Sequence, residues 1–228
     1  MAFQRARSDE QRGERRRQIL DTAAAMLTEM PVAKLSLNEL SRRVGLAKSN
    51  VLRYFESREA VLLELLDVEA RAWLDHLDEV LVTGEGEALV TGEGTVRERG
   101  DRLAAVLAAS LAARPVLCDL TSAHAGVLEH NVSAEVALEH KRATARIYAT
   151  QADLILRALP ELGTADAYRL AATATLITAA AWPYAQPPPA LLAAYAADPD
   201  VAAMRMDFTD LLRDTLQVTI SGLLARHD

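Results

Sequence analysis

The amino-acid sequence predicts an all-α fold of nine helices, three in a small N-terminal domain and six in a larger body. Alanine and leucine dominate the 228 residues, and both favour helices over strands. Apolar residues recur every three or four positions, as they do along one face of a helix. No segment shows two alternating apolar runs joined by a tight turn, so we expect no β-hairpin. We place the domain boundary at residue 60, which gives domains 1–60 and 61–228.

Three predicted helices make up the N-terminal domain. Pro31 ends the first, because proline cannot continue a helix. The sequence Ser36-x-x-Glu39 matches a capping box at the start of the second, and Gly45 ends it early. The predicted helices run from Ser8 to Pro31, from Ser36 to Gly45 and from Lys48 to Phe55.

The rest of the chain divides into six predicted helices. Thr95-x-x-Glu98 matches a second capping box, and Pro115 suits the first turn of a helix. Residues 83–95 carry four glycines and most of a duplicated Leu-Val-Thr-Gly-Glu-Gly segment. The glycines indicate a flexible linker. An anion-binding loop is the alternative, but the glutamates of the segment would repel an anion. The predicted helices begin at Ser57, Thr95, Pro115, Ser133, Thr164 and Met204, and the last ends near Ala225 after a proline-rich break.

The charge of the chain is unevenly distributed. The net charge is −7, yet residues 1–60 carry 12 lysines and arginines against 8 acids, a balance of +4. The other 168 residues carry 13 against 24, a balance of −11. A basic domain on an acidic body suggests that only the N-terminal domain contacts a polyanion.

A cytoplasmic protein without a membrane partner is the expectation from composition. The single cysteine, Cys118, allows no disulfide within the chain, which suits a reducing compartment. The arginine-rich N-terminus has no apolar segment typical of a signal peptide. The uncharged stretch 170–197 is rich in alanine and threonine and is broken by prolines, so we interpret it as a buried or interfacial helix.

Residues 36–55 have the pattern of a helix-turn-helix. Leu40 and Val44 lie on one face of the second helix, and Val51 and Phe55 lie four apart on the third. These side chains can join two short helices at a steep angle around Gly45. The other positions of the third helix suit base edges and phosphates in a major groove, while a solvated helical hairpin is the alternative. Further phosphate contacts are available from Arg15, Arg16, Arg17, Arg42, Arg43 and Arg58.

This region resembles the DNA-binding domain of the tetracycline-repressor (TetR) family. The shared motifs are a Val44-Gly45-Leu46 turn, a recognition helix that ends Arg53-Tyr54-Phe55, and a Ser57-Arg58-Glu59 start to a long fourth helix. The resemblance covers about Ile19 to Leu66. It implies a bacterial transcription regulator, not an enzyme, that binds double-stranded operator DNA as a homodimer and needs no cofactor. It also implies an effector cavity among helices four to eight.

The resemblance assigns DNA-contacting roles residue by residue. Lys48, Ser49 and Asn50 fall where family members contact bases or nearby phosphates. Tyr54 falls on a base or backbone contact and Arg58 on a phosphate contact. The sequence departs from the family at Ala47, where a capping serine is usual, and at Leu52, where a tyrosine is usual. Leu52 therefore either contacts a thymine methyl or packs against protein. The predicted DNA-binding residues are Ser36, Asn38, Lys48, Ser49, Asn50, Leu52, Arg53, Tyr54 and Arg58.

The last two predicted helices carry more apolar surface than one body needs, so we expect them to form the dimer interface. The residues concerned are Leu170, Leu176, Ile177, Phe208, Leu211, Leu212, Leu216, Ile220 and Leu223. We also expect an apolar or aromatic small-molecule effector, whose binding releases the DNA. The residues expected to line its site are Trp73, Leu77, Thr121, Tyr148, Gln151 and Trp182, with ordinary core packing as the alternative for each.

The sequence offers little for catalysis or metal binding. It has no glycine-rich phosphate loop or nucleophile motif, and Cys118 lies in an apolar helical stretch. The histidines form no tight His-x3-His pair. A site of His124 and His130 with Asp119 or Glu129 is the alternative, but isolated histidines are far commoner. We therefore predict no catalytic residues and no metal. The function we predict is a repressor relieved by a small molecule. One rival hypothesis is a regulator of the same fold that activates transcription or senses no small molecule, and the other is a helical interaction module that does not bind DNA.

Overall fold

A computed structural model describes residues 2–83 and 92–226, with side chains from Glu10 onward. These residues form eleven α-helices and no strand, which confirms the all-α prediction. Residues 84–91, most of the predicted linker, lie outside the described part. The helices are α1 Ala2–Glu29, α2 Leu37–Val44, α3 Lys48–Val51, α4 Arg58–Val82, α5 Val96–Ala112, α6 Pro115–Ala123, α7 Ala134–Ala158, α8 Gly163–Ala185, α9 Pro189–Ala197, α10 Pro199–Ala202 and α11 Phe208–Leu224.

The helices group into two compact units. Unit 1 comprises Met1–Glu69 and Ala123–Ala143, and unit 2 comprises Ala70–Ser122 and Thr144–Asp228. Helices α4 and α7 each contribute residues to both units. This division differs from the predicted boundary at residue 60, because the first turns of α4 and a later segment of the chain complete the N-terminal unit. The division into functional domains at residue 60 stays a prediction.

Unit 1 has a core of its own. The predicted apolar face of α1 is buried, with Ile19, Ala23 and Met26 fully inaccessible. Helix α1 contacts α2, and α2 contacts α3. Ser57 precedes α4, and its Oγ accepts a hydrogen bond from the Ala60 N–H at 3.0 Å. Helices α1, α2 and α3 therefore belong to one compact unit with the first turns of α4.

Unit 2 is built around α11, which packs against α5 and α8. The apolar stripe of α11 is buried inside the protomer, at Phe208, Leu212, Leu216, Ile220 and Leu223. Leu170 on α8 is also fully buried. The prediction that these six residues form the dimer interface is wrong, because one protomer already buries them in its own core. The outward faces of the same helices expose Leu176 on α8 and Val218 on α11.

The predicted number of nine helices is too low, because the proline-rich break contains two further helices. Pro189 is the first residue of α9. Asp198 caps α10, accepting from the N–H of Asp200, and Pro199 follows at its first position. Proline fits the first turn of a helix, where its missing N–H has no intrahelical partner to lose. Pro189 and Pro199 therefore begin helices, although prolines in the sequence were expected to interrupt them.

Smaller differences concern helix ends. Helix α1 begins six residues earlier than expected, and α3 ends at Val51 and continues as a turn to Tyr54. The predicted capping box is present: the Thr95 side chain accepts from the Glu98 N–H, and the Glu98 side chain accepts from the Thr95 N–H. Among the described residues, no single helix is long and apolar enough to cross a membrane. One pair of helical segments joined at a sharp bend, Val96–Ala112 and Pro115–Leu128, has the length and composition of a membrane span, and nothing else indicates one.

Candidate nucleic-acid interface

Local sequence fixes the turn between α2 and α3. The Ser36 Oγ begins α2 by accepting a hydrogen bond from the Glu39 N–H at 3.2 Å. Gly45 ends it in the left-handed conformation, with φ 74°, and its N–H donates to the Arg42 carbonyl at 3.2 Å. Glycine adopts this conformation without strain, whereas a side chain rarely does. The chain therefore reverses within three residues and starts α3 at Lys48.

A small apolar core holds the two helices. Leu40 and Val44 of α2 are buried, as are Val51 of α3 and Phe55 just after it. The spacing in the sequence placed these four residues together, and the structure confirms that they are inside. Since the apolar side chains face inward, the remaining side chains of α3 must face away from the core.

The exposed side chains of α3 and of the turn after it are mostly polar, and we call them the α3 surface: Lys48, Ser49, Asn50, Leu52 and Arg53. All five are exposed. Leu52 is 41% exposed, so its side chain is accessible to a thymine methyl rather than packed. Tyr54 is half-buried, and Ser36 and Asn38 are exposed at the start of α2. The structure thus places eight of the nine predicted DNA-binding residues at least partly at the surface of one motif, and the ninth, Arg58, is engaged with protein.

An open groove of about 1330 Å³ lies beside the α3 surface. Arg53 and Tyr54 line one part of it, and Arg12, Arg15 and Arg17 of α1 line another. Acidic side chains also reach the groove from α1, but its guanidinium groups outnumber them. Cations of α1 therefore extend the positive surface of α3, as phosphate contacts require.

Two of the arginines expected at phosphates are engaged with protein. Arg16 donates to the Tyr54 carbonyl, forms an ion pair with Glu64, and lies 4.3 Å over the Phe55 ring. Arg58 donates to the Val32 carbonyl at 2.7 Å and pairs with Glu59. Both guanidiniums join the start of α4 to the helices before it. A phosphate contact from Arg58 stays a prediction, and its present partners indicate a structural role.

The arginines at the end of α2 are partly neutralised. Hydrogen bonds from Arg42 and then Arg43 lower the pKa of Glu39 to about 2. Arg43 also pairs with Glu29 at 2.7 Å. Glu39 is therefore ionised at any pH where the protein functions, and the net positive charge of this end of α2 is small. The positive surface depends mainly on α1 and α3.

Separate substitutions of Arg16 and Arg17 should distinguish an arginine that stabilises the fold from one that contacts phosphates. Arg16→Ala removes a hydrogen bond, an ion pair and a stacked ring contact, so we expect a loss of about 1–3 kcal/mol in the free energy of unfolding. Arg17 is exposed in the groove, so Arg17→Ala should leave stability unchanged and weaken binding to every duplex alike, with a salt slope smaller by about 2 for a dimer, which loses two such side chains. Urea unfolding and salt-dependent anisotropy measure the two effects. Equal stability losses in both variants would contradict the assignment.

The residues proposed for an effector site all lie in unit 2. Trp73 is buried and donates from Nε1 to the Ser110 Oγ at 3.0 Å. Leu77 and Gln151 are buried, whereas Thr121 and Tyr148 are partly exposed. Trp182 lines a pocket of about 390 Å³ together with Phe208, whose ring it meets edge to face at 5.1 Å. The structure brings only Trp182 of the predicted set to this pocket.

Cys118 is buried, and its Sγ lies 3.3 Å from the Leu111 carbonyl. Burial, with a contribution from Asp119, raises the pKa of its thiol to about 12. A thiol that stays protonated near neutral pH is a poor nucleophile. The geometry agrees with the interpretation of Cys118 as a core residue.

Comparison with known proteins gives two matches to family models along the chain. Residues 19–65 match the family of bacterial regulatory proteins, tetR family. Residues 67–227, well over half of the chain, match the tetracyclin repressor-like C-terminal domain. The chain belongs to the TetR family. It is therefore a transcriptional regulator with a DNA-binding helix-turn-helix, as the motifs of residues 44–59 indicated.

A curated TetR-family relative matches the N-terminal part. It is the HTH-type transcriptional regulator EthR of Mycobacterium tuberculosis, 43% identical over 49 residues, which are 22% of this chain and 23% of that protein. The match therefore spans less than a quarter of the relative.

Solved structures of bacterial regulators share the fold over nearly the whole chain. A possible TetR family regulator from Streptomyces coelicolor A3(2) is 23% identical, covering 92% of this chain and 99% of that one with a TM-score of 0.57. The fatty acid degradation regulator FadR from Bacillus halodurans is 16% identical, covering 90% and 97% with a TM-score of 0.54. FadR from Bacillus subtilis, solved in complex with stearoyl-CoA, is 13% identical, covering 90% and 97% with a TM-score of 0.53. At these identities the likeness shows the fold alone.

Proposed function

We propose that this TetR-family regulator binds a palindromic operator as a homodimer, represses transcription from it and releases it when a small apolar effector binds. The proposal of DNA binding rests on one observation. Lys48, Ser49 and Asn50 are exposed side by side on a helix whose opposite face is buried. Side chains of this kind donate to and accept from base edges in the major groove. Arg53 and the α1 arginines that line the groove supply phosphate contacts.

The dimer interface lies on the outward faces of α8 and α11. Leu176 is 67% exposed and Val218 is 74% exposed, and each lies opposite the buried stripe of its helix. Tyr168 and Tyr184 add exposed apolar area on α8. Small neighbours such as Ala172, Ala179 and Gly222 allow close approach of a second pair of helices. A two-fold four-helix contact of this kind is self-complementary.

The effector site lies in unit 2. Gln151 is 1% exposed, and its Nε2 has no hydrogen-bond partner among the described residues. A buried amide without a partner costs stability, so it marks a place where a ligand's acceptor would gain a strong contact. The FadR neighbour from Bacillus subtilis holds stearoyl-CoA, so a fold of this type accommodates an apolar chain with a polar end. We expect a mostly apolar effector with few acceptors.

Coupling to DNA runs through α4, which belongs to both units. Its residues 58–69 pack in unit 1 and its residues from Ala70 onward in unit 2. An effector that favours one arrangement of unit 2 shifts the population of dimers whose α3 helices match successive major grooves. A change of ten- to a hundred-fold in operator affinity takes roughly 1.4 to 3 kcal/mol of differential effector binding.

A substitution at Gln151 tests the effector site. Gln151→Leu keeps the volume and removes the unpaired amide, so we expect its free energy of unfolding to equal or exceed that of the natural protein by about 1 kcal/mol. Compounds that release operator from the natural protein in an anisotropy screen should bind the variant at least tenfold more weakly. A loss of 2 kcal/mol or more in stability would show that the amide already has a partner.

Anisotropy with labelled duplex DNA tests the DNA-binding proposal. Lys48→Ala with Arg53→Ala should weaken binding to any duplex and flatten the salt slope by about 2 to 4 for a dimer. The matched control, Lys141→Ala with Arg142→Ala, removes the same charge from exposed positions of α7 in the same unit and should change little. An equal loss in both double variants would assign the effect to net charge rather than to the α3 surface.

An activator of the same fold is the second candidate, because the α3 surface would be the same in both. The position of the operator relative to the promoter separates them. Repression requires overlap with the polymerase site, whereas activation requires an upstream site.

A further inference from the structure

A cluster of two histidines and a glutamate lies outside the features described above. His124 follows α6, Glu129 lies five residues later, and His140 is on α7. All three belong to unit 1, and their potential ligand atoms lie within 4.8 Å of one another. The side chain of His140 is 4% exposed, that of His124 20% and that of Glu129 32%. The cluster is thus mostly buried but reachable from solvent on the Glu129 side.

The contacts of the cluster bring three potential metal-ligating atoms together. The His140 Nδ1 lies 2.9 Å from the Asp67 Oδ1, so the carboxylate accepts the ring N–H there. The other ring nitrogen of His140, Nε2, lies 2.7 Å from the His124 Nε2. The His124 Nε2 is also 3.0 Å from the Glu129 Oε1. Two ring nitrogens and a carboxylate oxygen therefore converge on one place, and Asp67 fixes the orientation of the His140 ring.

We propose that His124, Glu129 and His140 bind a divalent transition-metal ion of the zinc type, with Asp67 orienting His140. Two imidazole nitrogens and a carboxylate oxygen are the donor set that such ions prefer, while Mg²⁺ and Ca²⁺ prefer oxygens alone. One ion can bind an atom from each of the three side chains, because these atoms lie within 4.8 Å of one another. Three protein ligands leave a fourth position for water.

The distances require only a small adjustment. Bonds of 2.0–2.1 Å at the tetrahedral angle separate two ligating nitrogens by roughly 3.3 Å. The two Nε2 atoms are 2.7 Å apart, so the rings need to separate by about half an ångström. Partial exposure of His124 and Glu129 leaves room for this movement. Lys141 also pairs with Oε1 of Glu129, and a carboxylate oxygen has two lone-pair sites, so the same atom can accept from Lys141 and bind the ion.

Other features of the cluster favour a ligand over a structural histidine pair. Asp67 is itself buried beside His140 and provides the carboxylate partner that usually accompanies a metal-bound histidine. His130, the partner considered from the sequence, is exposed beyond Glu129 and does not belong to the cluster.

Zinc binding to the full-length protein tests the proposal without any DNA. Protein freed of metal by chelator dialysis should bind one Zn²⁺ per chain in a competition titration against a chromophoric chelator. With Co²⁺ as the probe, the visible ligand-field bands of a four-coordinate site should appear. His124→Ala and Glu129→Gln should each weaken Zn²⁺ binding at least 100-fold, and Asp67→Asn about 10- to 100-fold. Ca²⁺ and Mg²⁺ should not compete.

The matched control is His130→Ala, a histidine six residues from His124 that should leave zinc affinity unchanged. Circular dichroism and thermal melts establish folding, and Zn²⁺ should raise the Tm of the natural protein and of His130→Ala, but not that of His124→Ala. The proposal is overturned if folded His124→Ala and Glu129→Gln bind Zn²⁺ as tightly as the natural protein, or if His130→Ala loses as much affinity as they do. These outcomes do not depend on whether the protein binds an operator.

Discussion

A double substitution on the outward faces of α8 and α11, Leu176→Glu with Val218→Glu, is expected to convert the proposed homodimer into monomers. Both side chains are more than two thirds exposed in one protomer, so the change costs the isolated chain little. At a two-fold contact it would bury four like charges, and each buried unpaired ion costs several kcal/mol. Even about 4 kcal/mol raises the dissociation constant of the dimer about 1000-fold.

Operator binding should fail together with the dimer. A monomer presents one α3 surface to one half-site and loses the effective concentration that joins the two, which is worth about 100- to 10,000-fold. Analytical ultracentrifugation and anisotropy at micromolar protein measure the two effects. Leu138→Glu, at a 51% exposed leucine of α7 in unit 1, serves as the control and should stay dimeric. A double variant that stays dimeric would place the interface elsewhere.

Asn50→Ala is expected to remove most of the discrimination between operator and random DNA. Asn50 is exposed in the middle of the short helix α3, and alanine keeps the helix. A bidentate contact between an amide and a base is worth about 1–3 kcal/mol, so two half-sites lose roughly 2–6 kcal/mol, at least about 30-fold in affinity. Binding to random duplex should hardly change, because phosphate contacts remain.

The matched control for this prediction is Asn131→Ala, the same substitution at an exposed position of unit 1 away from the α3 surface. It should bind operator like the natural protein. Competition titrations with specific and random duplexes give, for each variant, the ratio of its affinity for operator to its affinity for random DNA. If Asn50→Ala leaves this affinity ratio unchanged, another element contacts the bases.

Local patterns in the sequence predict the DNA-binding motif well, because its determinants are close together in the chain. Ser36 caps α2, Gly45 ends it, and the buried positions Leu40, Val44 and Val51 follow helical spacing. Each of these features acts within a few residues, so it can be recognised without a structure. Arg16 and Arg58 are different, since their partners Glu64 and Val32 lie 48 and 26 residues away.

Features that depend on distant contacts were predicted less well. The apolar stripe of α11 is typical both of a core and of an interface, and only its contact with α5 and α8 decides that it is core. His124 and His140 are 16 residues apart on different helical segments, a spacing that matches no ligand motif. The prolines at 188 and 189 predict an interruption between helices, because the sequence alone does not distinguish the end of one helix from the first turn of the next.

Selection of bound sequences from a pool of random duplex DNA tests the central claim, that the α3 surface reads an operator, most directly. The natural protein should enrich an inverted repeat whose half-sites are centred about one helical turn apart, or slightly more, because a two-fold dimer presents two recognition helices. Asn50→Ala should enrich no motif or a degenerate one from the same pool. Recovery of random sequence by the natural protein, or of one identical motif by both proteins, would contradict the claim.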